Sequence, residues 1–64
     1  MKNKLKEERE KKGISQEELA QKAKVSRTTI SDIETEKKMV VTNITLEKIA
    51  NALGLKITDI FFIE

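Results

Sequence analysis

The sequence predicts an all-α fold of five short helices. Three observations carry that prediction. Apolar residues recur at helical spacing in several separated runs of strong helix formers. Hydroxyl or amide residues stand where these runs begin, and glycine stands where two of them stop, at Gly13 and Gly54. Strand signals are weak, because the one β-like cluster, "MVV" at residues 39–41, is too short to count.

The elements follow in order. "KNKLKEEREKK" is a charged helical run with Leu5 as its main apolar anchor, and Gly13 supplies the left-handed residue that a helix stop favours. "SQEE" opens the second helix, with Ser15 at the N-cap and Glu18 completing a capping box. Leu19, Ala20 and Ala23 share the inward face of that helix, and Val25 lies in the turn. Ser26 caps a third helix that buries Ile30 and Ile33. "ETEKKMVVTN" is a connection with Thr42 or Asn43 as the next cap. "TLEKIANALG" is the most clearly periodic segment, with Leu46, Ile49, Ala50 and Leu53 on one face and Gly54 as its stop. "LKITDIFFIE" begins as a short fifth helix through Ile57, Ile60 and Phe61, and its last residues from Phe61 onward suit an extended ending equally well.

With 64 residues, the chain is expected to be one domain, spanning 1–64, with no cleft between subdomains and no separate effector pocket. Its core is small, so self-association is the simplest source of added stability. Cysteine and histidine are absent, which excludes disulfides, thiolate metal sites and the commonest catalytic base. Carboxylate pairs such as Glu17 and Glu18 lie beside caps or lysines, with no base or nucleophile to complete a catalytic site. No enzyme activity, cofactor, metal or small-molecule ligand is therefore expected. No signal peptide or long apolar run appears, which points to a cytoplasmic protein without a membrane partner. The net charge is only +2, but most Lys and Arg residues precede Met39. Glutamates dilute them on the same segments, as on any solvated helical surface.

Two helices joined by a three- or four-residue turn make a helix-turn-helix, here expected over residues 16–35. The second of the pair begins with Ser26, Arg27, Thr28 and Thr29, which are small, polar or cationic. Free N–H groups and the positive dipole end at that terminus favour phosphate, the contact expected of Ser26 and Thr29. Arg27, Thr28, Ser31 and Asp32 point away from Ile30 and Ile33, toward a partner. A helix of this size fits the major groove of double-stranded DNA, where base edges carry a readable pattern. Asp32 is suited either to accept from a cytosine amino group or to hold Arg27 in place.

Residues 3 to 61 resemble the lambda-repressor/Cro-like (Xre-type) helix-turn-helix family. "LKEEREKKGISQEELAQKAKVSRTTISDIE" is similar to the family's opening pattern and "TLEKIANALG" to its fourth helix. The resemblance implies a compact five-helix domain that binds DNA. It implies that Gln16 touches phosphate and supports a side chain of the recognition helix, and that Arg27, Thr28 and Asp32 meet bases, with Ser31 a further contact. Thr35, Lys37 and Lys38 fall on the loop that lies along the DNA backbone in the family. Arg9 and Glu34 match a pair that bridges the first and third helices in relatives. Two positions depart from the pattern: Lys24 and Glu36 stand where the family usually has glycine. A non-glycine residue in a left-handed conformation costs on the order of 1 kcal/mol. Glu36 also sets a negative charge beside the phosphate-facing loop.

The C-terminus suggests how two copies meet. Ile60 and Phe61 continue the helical spacing from Ile57 and are assigned to the monomer core. Phe62 and Ile63 are left over, and residues 60–64 are expected to form a homodimer segment, with Phe62 and Ile63 meeting their equivalents across a two-fold axis. Small members of the family resemble this arrangement. The whole pattern predicts a transcriptional regulator, most simply a repressor, acting on a palindromic operator. An antitoxin or a restriction–modification controller of the same fold would bind DNA identically. A helical protein-interaction module without DNA binding is the reading from another class, with Asp32 and Glu36 in its favour.

Overall fold

A computed structural model of the chain describes residues 2–37 and 41–61. Lys38, Phe62 and Ile63, expected to contact phosphate and a second copy, lie outside the described residues. Five helices follow one another: α1 (Leu5–Lys11), α2 (Gln16–Ala23), α3 (Arg27–Glu34), α4 (Asn43–Ala52) and α5 (Ile57–Ile60). Among the described residues, no helix is long and apolar enough to cross a membrane.

Each helix starts where a side chain can take up its free N–H groups. Asn3 Oδ1 accepts from the Leu5 N–H at 3.0 Å. Ser15 Oγ accepts from the Glu18 N–H, and Glu18 Oε1 returns the bond to the Ser15 N–H at 2.9 Å, which completes the expected capping box. Ser26 Oγ caps α3 through the Thr29 N–H at 3.0 Å. Thr42, and not Asn43, caps α4 through the Thr45 N–H at 3.2 Å. Asp59 Oδ2 accepts from the Lys56 N–H at 2.9 Å and so closes the first turn of α5.

The first four helices end alike. A left-handed residue follows each: Gly13 (φ 70°), Lys24 (φ 58°), Glu36 (φ 57°) and Gly54 (φ 69°). At each end, the left-handed residue's N–H donates to the carbonyl three residues back, and the next N–H donates five residues back. This pair of bonds is the Schellman motif. The residue after the left-handed one is Ile14, Val25 or Leu55 in α1, α2 and α4, each packed against the core. In α3 it is Lys37, which is exposed.

The core holds Leu5, Leu19, Ala20, Ala23, Ile30, Ile33, Leu46, Ile49, Ala50, Leu53, Ile60 and Phe61. α2 is central and packs on α3 and α4, while α1 rests on α3 and α5 on α4. Small Ala20 and Ala23 on the buried face of α2 suit this close packing. Helical geometry stops at Ile60, and Phe61 is extended (φ −109°, ψ 131°). Phe61 forms an isolated antiparallel bridge with Asn3, and the Lys4 N–H donates to the Ile60 carbonyl at 2.7 Å. Phe61 is thus buried as its spacing suggested, but it enters the core from the extended alternative rather than from a continued helix.

Candidate nucleic-acid interface

The site begins with the turn between α2 and α3. Lys24 takes the left-handed conformation (φ 58°, ψ 43°), and Val25 follows it, half-buried, against the core. The chain then enters α3 through the Ser26 cap. Burial of Ile30 and Ile33 fixes the rotation of α3. That rotation leaves Arg27 and Thr28 exposed and Ser31 and Asp32 half-buried on the outer side.

Arg27 lies between two surface depressions. It lines one with Thr28, Ser31, Asp32 and Lys37, and the other with Arg9, Ser15, Gln16 and Glu17. The structure therefore brings the expected base-facing residues together and sets them beside the start of α2. No acidic residue occupies the first turn of α3, so the Arg27 charge stands at the positive dipole end unopposed by its own helix. Packing gives no reason for a cation there.

A polar cluster holds the two helices in register. Arg9 Nε donates to Glu34 Oε2 at 2.7 Å and Arg9 Nη2 donates to Glu34 Oε1 at 3.1 Å, a forked pair. Arg9 Nη1 donates to the Ile14 carbonyl at 2.8 Å. Gln16 Nε2 donates to Glu34 Oε1 at 3.0 Å. The Arg9 and Glu34 side chains are only 11% and 3% exposed, so this pair is largely removed from water. The hydrogen bond to Glu34 raises the Arg9 pKa above its ordinary value, against the opposing effect of burial. The expected Arg9–Glu34 bridge is present, and it spans three helices rather than two because Gln16 joins it.

The hydroxyls divide by where their single protons go. Thr35 Oγ1 donates to the Ser31 carbonyl at 2.9 Å, so its proton is spent inside its own helix. A phosphate oxygen offers only acceptors, so Thr35 serves a phosphate only after turning away from that carbonyl. Ser26 Oγ and Thr29 Oγ1 lie 2.7 Å apart and share one proton. Two hydroxyls bring two protons, and the second remains available to an acceptor outside the chain. Thr29 therefore assists the cap, while Thr28 is exposed.

Asp32 pairs with Lys37, Nζ to Oδ1, at 3.9 Å, and not with Arg27. Sequence reasoning missed this pair. It also missed Glu17 at the rim beside Arg27 and Asn3 as the residue that both caps α1 and donates to the Ile33 carbonyl at 2.9 Å. An asparagine two residues before the first buried leucine was the available sign for Asn3. The fold of Lys37 onto Asp32 arises from the backbone turn at Glu36, which the sequence marks only as a missing glycine.

A family model described as helix-turn-helix, of the lambda-repressor-like Xre type, matches residues 5–60 of the chain. No curated protein matches it.

Proposed function

This chain belongs to the Xre-type helix-turn-helix family of DNA-binding regulators, and from that premise we propose that it is a sequence-specific transcriptional repressor acting as a homodimer on a palindromic operator. The observation that carries the reading is the outer face of α3, where Arg27, Thr28, Ser31 and Asp32 converge beside the first turn of α2. Arg27 reads the O6 and N7 acceptors of a guanine, and Thr28, Ser31 and Asp32 contact neighbouring base edges. Gln16, Ser26 and Thr29 set the helix on the phosphate backbone, with Thr35 and Lys38 on the flanking loop. Such contacts position the protein and give salt-dependent affinity, while the base contacts give preference.

Residues 1–64 act as one DNA-binding unit in the cytoplasm, with 16–35 as the reading motif and 60–64 as the segment joining two copies. Phe62 and Ile63 support the dimer because Ile60 and Phe61 are already taken up by the monomer core, which leaves two adjacent apolar side chains in the sequence for another surface. A two-fold pair places the recognition helices about one DNA turn, ~34 Å, apart. Changing Phe62 and Ile63 together to lysine should give a monomer by light scattering after gel filtration. A variant that stays dimeric at low micromolar concentration removes this segment from the interface.

Selection of bound sequences from a random pool of double-stranded DNA tests the main reading. A palindromic consensus with half-sites one helical turn apart is expected. An asymmetric consensus would exclude the two-fold dimer. No enrichment at all would replace DNA reading by a protein-interaction role, which Glu17 and Asp32 on this face and Glu36 in the following turn would then serve.

A further inference from the structure

We propose that Lys37 is a positioning residue for base reading by Asp32, instead of the phosphate contact that its loop suggests. Lys37 holds the Asp32 carboxylate and offsets its charge, so that this carboxylate accepts from the N4 amino group of a cytosine. The proposal deepens the DNA-reading role proposed above and rests on it.

Three observations converge. The first is a break in the chain's own pattern. At the ends of α1, α2 and α4 the residue after the left-handed position is apolar and turns toward the core, as Ile14, Val25 and Leu55 do. At the end of α3 that residue is Lys37, whose side chain is 70% exposed and adds nothing to the core. The second is the backbone. The Lys37 N–H donates to the Asp32 carbonyl at 3.0 Å, because the left-handed Glu36 folds the chain back over the last turn of α3. Lys37 is thereby fastened above Asp32 before any side chain is considered. The third is the placement of the charges. Lys37 Nζ lies 3.9 Å from Asp32 Oδ1, and both residues line the same depression as Arg27, Thr28 and Ser31.

The chemistry follows from what a carboxylate can do. It has acceptors only, so it cannot pair with the N7 and O6 acceptors that guanine shows in the major groove, or with a phosphate. In the major groove the amino groups of cytosine and adenine are the available donors. Cytosine suits a carboxylate better, because adenine sets its N7 acceptor beside the amino group, where it would repel the second carboxylate oxygen. An uncompensated negative charge among phosphates would be repelled, and the ammonium of Lys37 cancels it locally. A lysine engaged in this way affects which base is chosen. A lysine on a phosphate would affect all sequences alike.

The test is a double-variant cycle on DNA binding. The wild type, Asp32→Asn, Lys37→Met, Lys37→Arg and the Asp32→Asn/Lys37→Met pair are compared by fluorescence anisotropy. The DNA is the operator enriched by selection and its versions substituted at the position whose preference Asp32→Asn changes. Circular dichroism confirms that each variant is folded. The wild type should favour cytosine there by about 5- to 10-fold. Lys37→Met should lose most of that preference and Lys37→Arg should keep it. In the Asp32→Asn background, Lys37→Met should leave base preference unchanged. If Lys37→Met instead weakens every operator by one factor in both backgrounds, Lys37 is a phosphate contact and the proposal is overturned. A wild type without cytosine preference at any Asp32-dependent position overturns it as well, with DNA reading intact. If no sequence is enriched, the DNA-reading role itself fails and takes this proposal with it.

Discussion

The side-chain amide of Gln16 donates to Glu34 Oε1 at 3.0 Å, so the first residue of α2 is tied to the last residue of α3. Glu34 at the same time takes two bonds from Arg9 in α1. The angle between the two helices of the motif is thus held at both of its ends. Packed Leu19, Ala20 and Val25 act near the turn, and a charge-assisted cluster acts at the far side. A recognition helix held this way reaches DNA already oriented, which lowers the ordering cost of binding.

Glu34→Ala should lower stability by roughly 3–5 kcal/mol, because it leaves the Arg9 guanidinium largely buried without its partner. Arg9→Met combined with Glu34→Leu should recover most of that loss, since neither charge then remains inside. Urea denaturation of the three proteins measures both effects. A Glu34→Ala loss under about 1 kcal/mol would show that the pair is solvated in solution.

Lys24→Gly should raise the melting temperature. Lys24 has φ 58°, a conformation that costs a side-chain-bearing residue on the order of 1 kcal/mol. Glycine relieves that strain, and its greater freedom in the unfolded chain offsets part of the gain. The net rise should be no more than several degrees, at about 4–8 °C per kcal/mol for a domain of this size. Lys24→Ala should bring no such rise, and a clear drop for Lys24→Gly would contradict the strain.

Glu36→Gln keeps the left-handed backbone at φ 57° and removes only the charge. Binding to DNA of any sequence should tighten about 2- to 5-fold at low salt, and the two proteins should converge as salt rises. Anisotropy titrations at several salt concentrations distinguish this from a sequence-specific change.

Arg27→Ala should cost roughly 1–3 kcal/mol on the enriched operator and relax preference at one position per half-site. Repeating the selection with the variant reads this directly. An unchanged consensus would mean that α3 docks differently.

The capping box gives a pH signature. The Ser15 backbone N–H, and after it the Ser15 hydroxyl, lower the Glu18 pKa below its ordinary value. A carboxyl whose folded pKa is depressed stabilises the fold above its unfolded value, and loses that contribution as pH falls through the folded one. Glu18→Gln keeps an acceptor at the same place without a titrating group. Its melting temperature should fall less than that of the wild type between neutral pH and pH values below the ordinary carboxylate range. Equal falls would mean that Glu18 is not bonded in solution.

Local rules made much of this fold legible. Ser15 with Glu18, and Ser26, announced their helices because a cap acts within one turn of chain. The buried faces of α2, α3 and α4 followed from spacing alone. Lys24 and Glu36 were legible only against a family pattern, since nothing about a lysine or a glutamate suggests a left-handed backbone. The contacts that escaped are Asn3 with Ile33 and Phe61, and Lys37 folded back on Asp32, while the bond from Gln16 to Glu34 was expected only as support for an unspecified side chain of the recognition helix. Each depends on where a turn aims the chain, and sequence periodicity carries no such information.

The bridge between Asn3 and Phe61 has a kinetic meaning. It joins positions at opposite ends of the described chain, so all five helices lie inside one closed loop. Helix α5 has four residues and is too short to persist by itself. It packs on α4 nearby in sequence, and its end is tied to Asn3 and Lys4 by the contacts of longest sequence separation among the described residues, which are expected to form last because closure entropy must be met first. The Lys4 amide, which donates to the Ile60 carbonyl, is therefore a reporter of that latch. Its exchange with heavy water measures how often the two ends part while α2 and α3 remain packed.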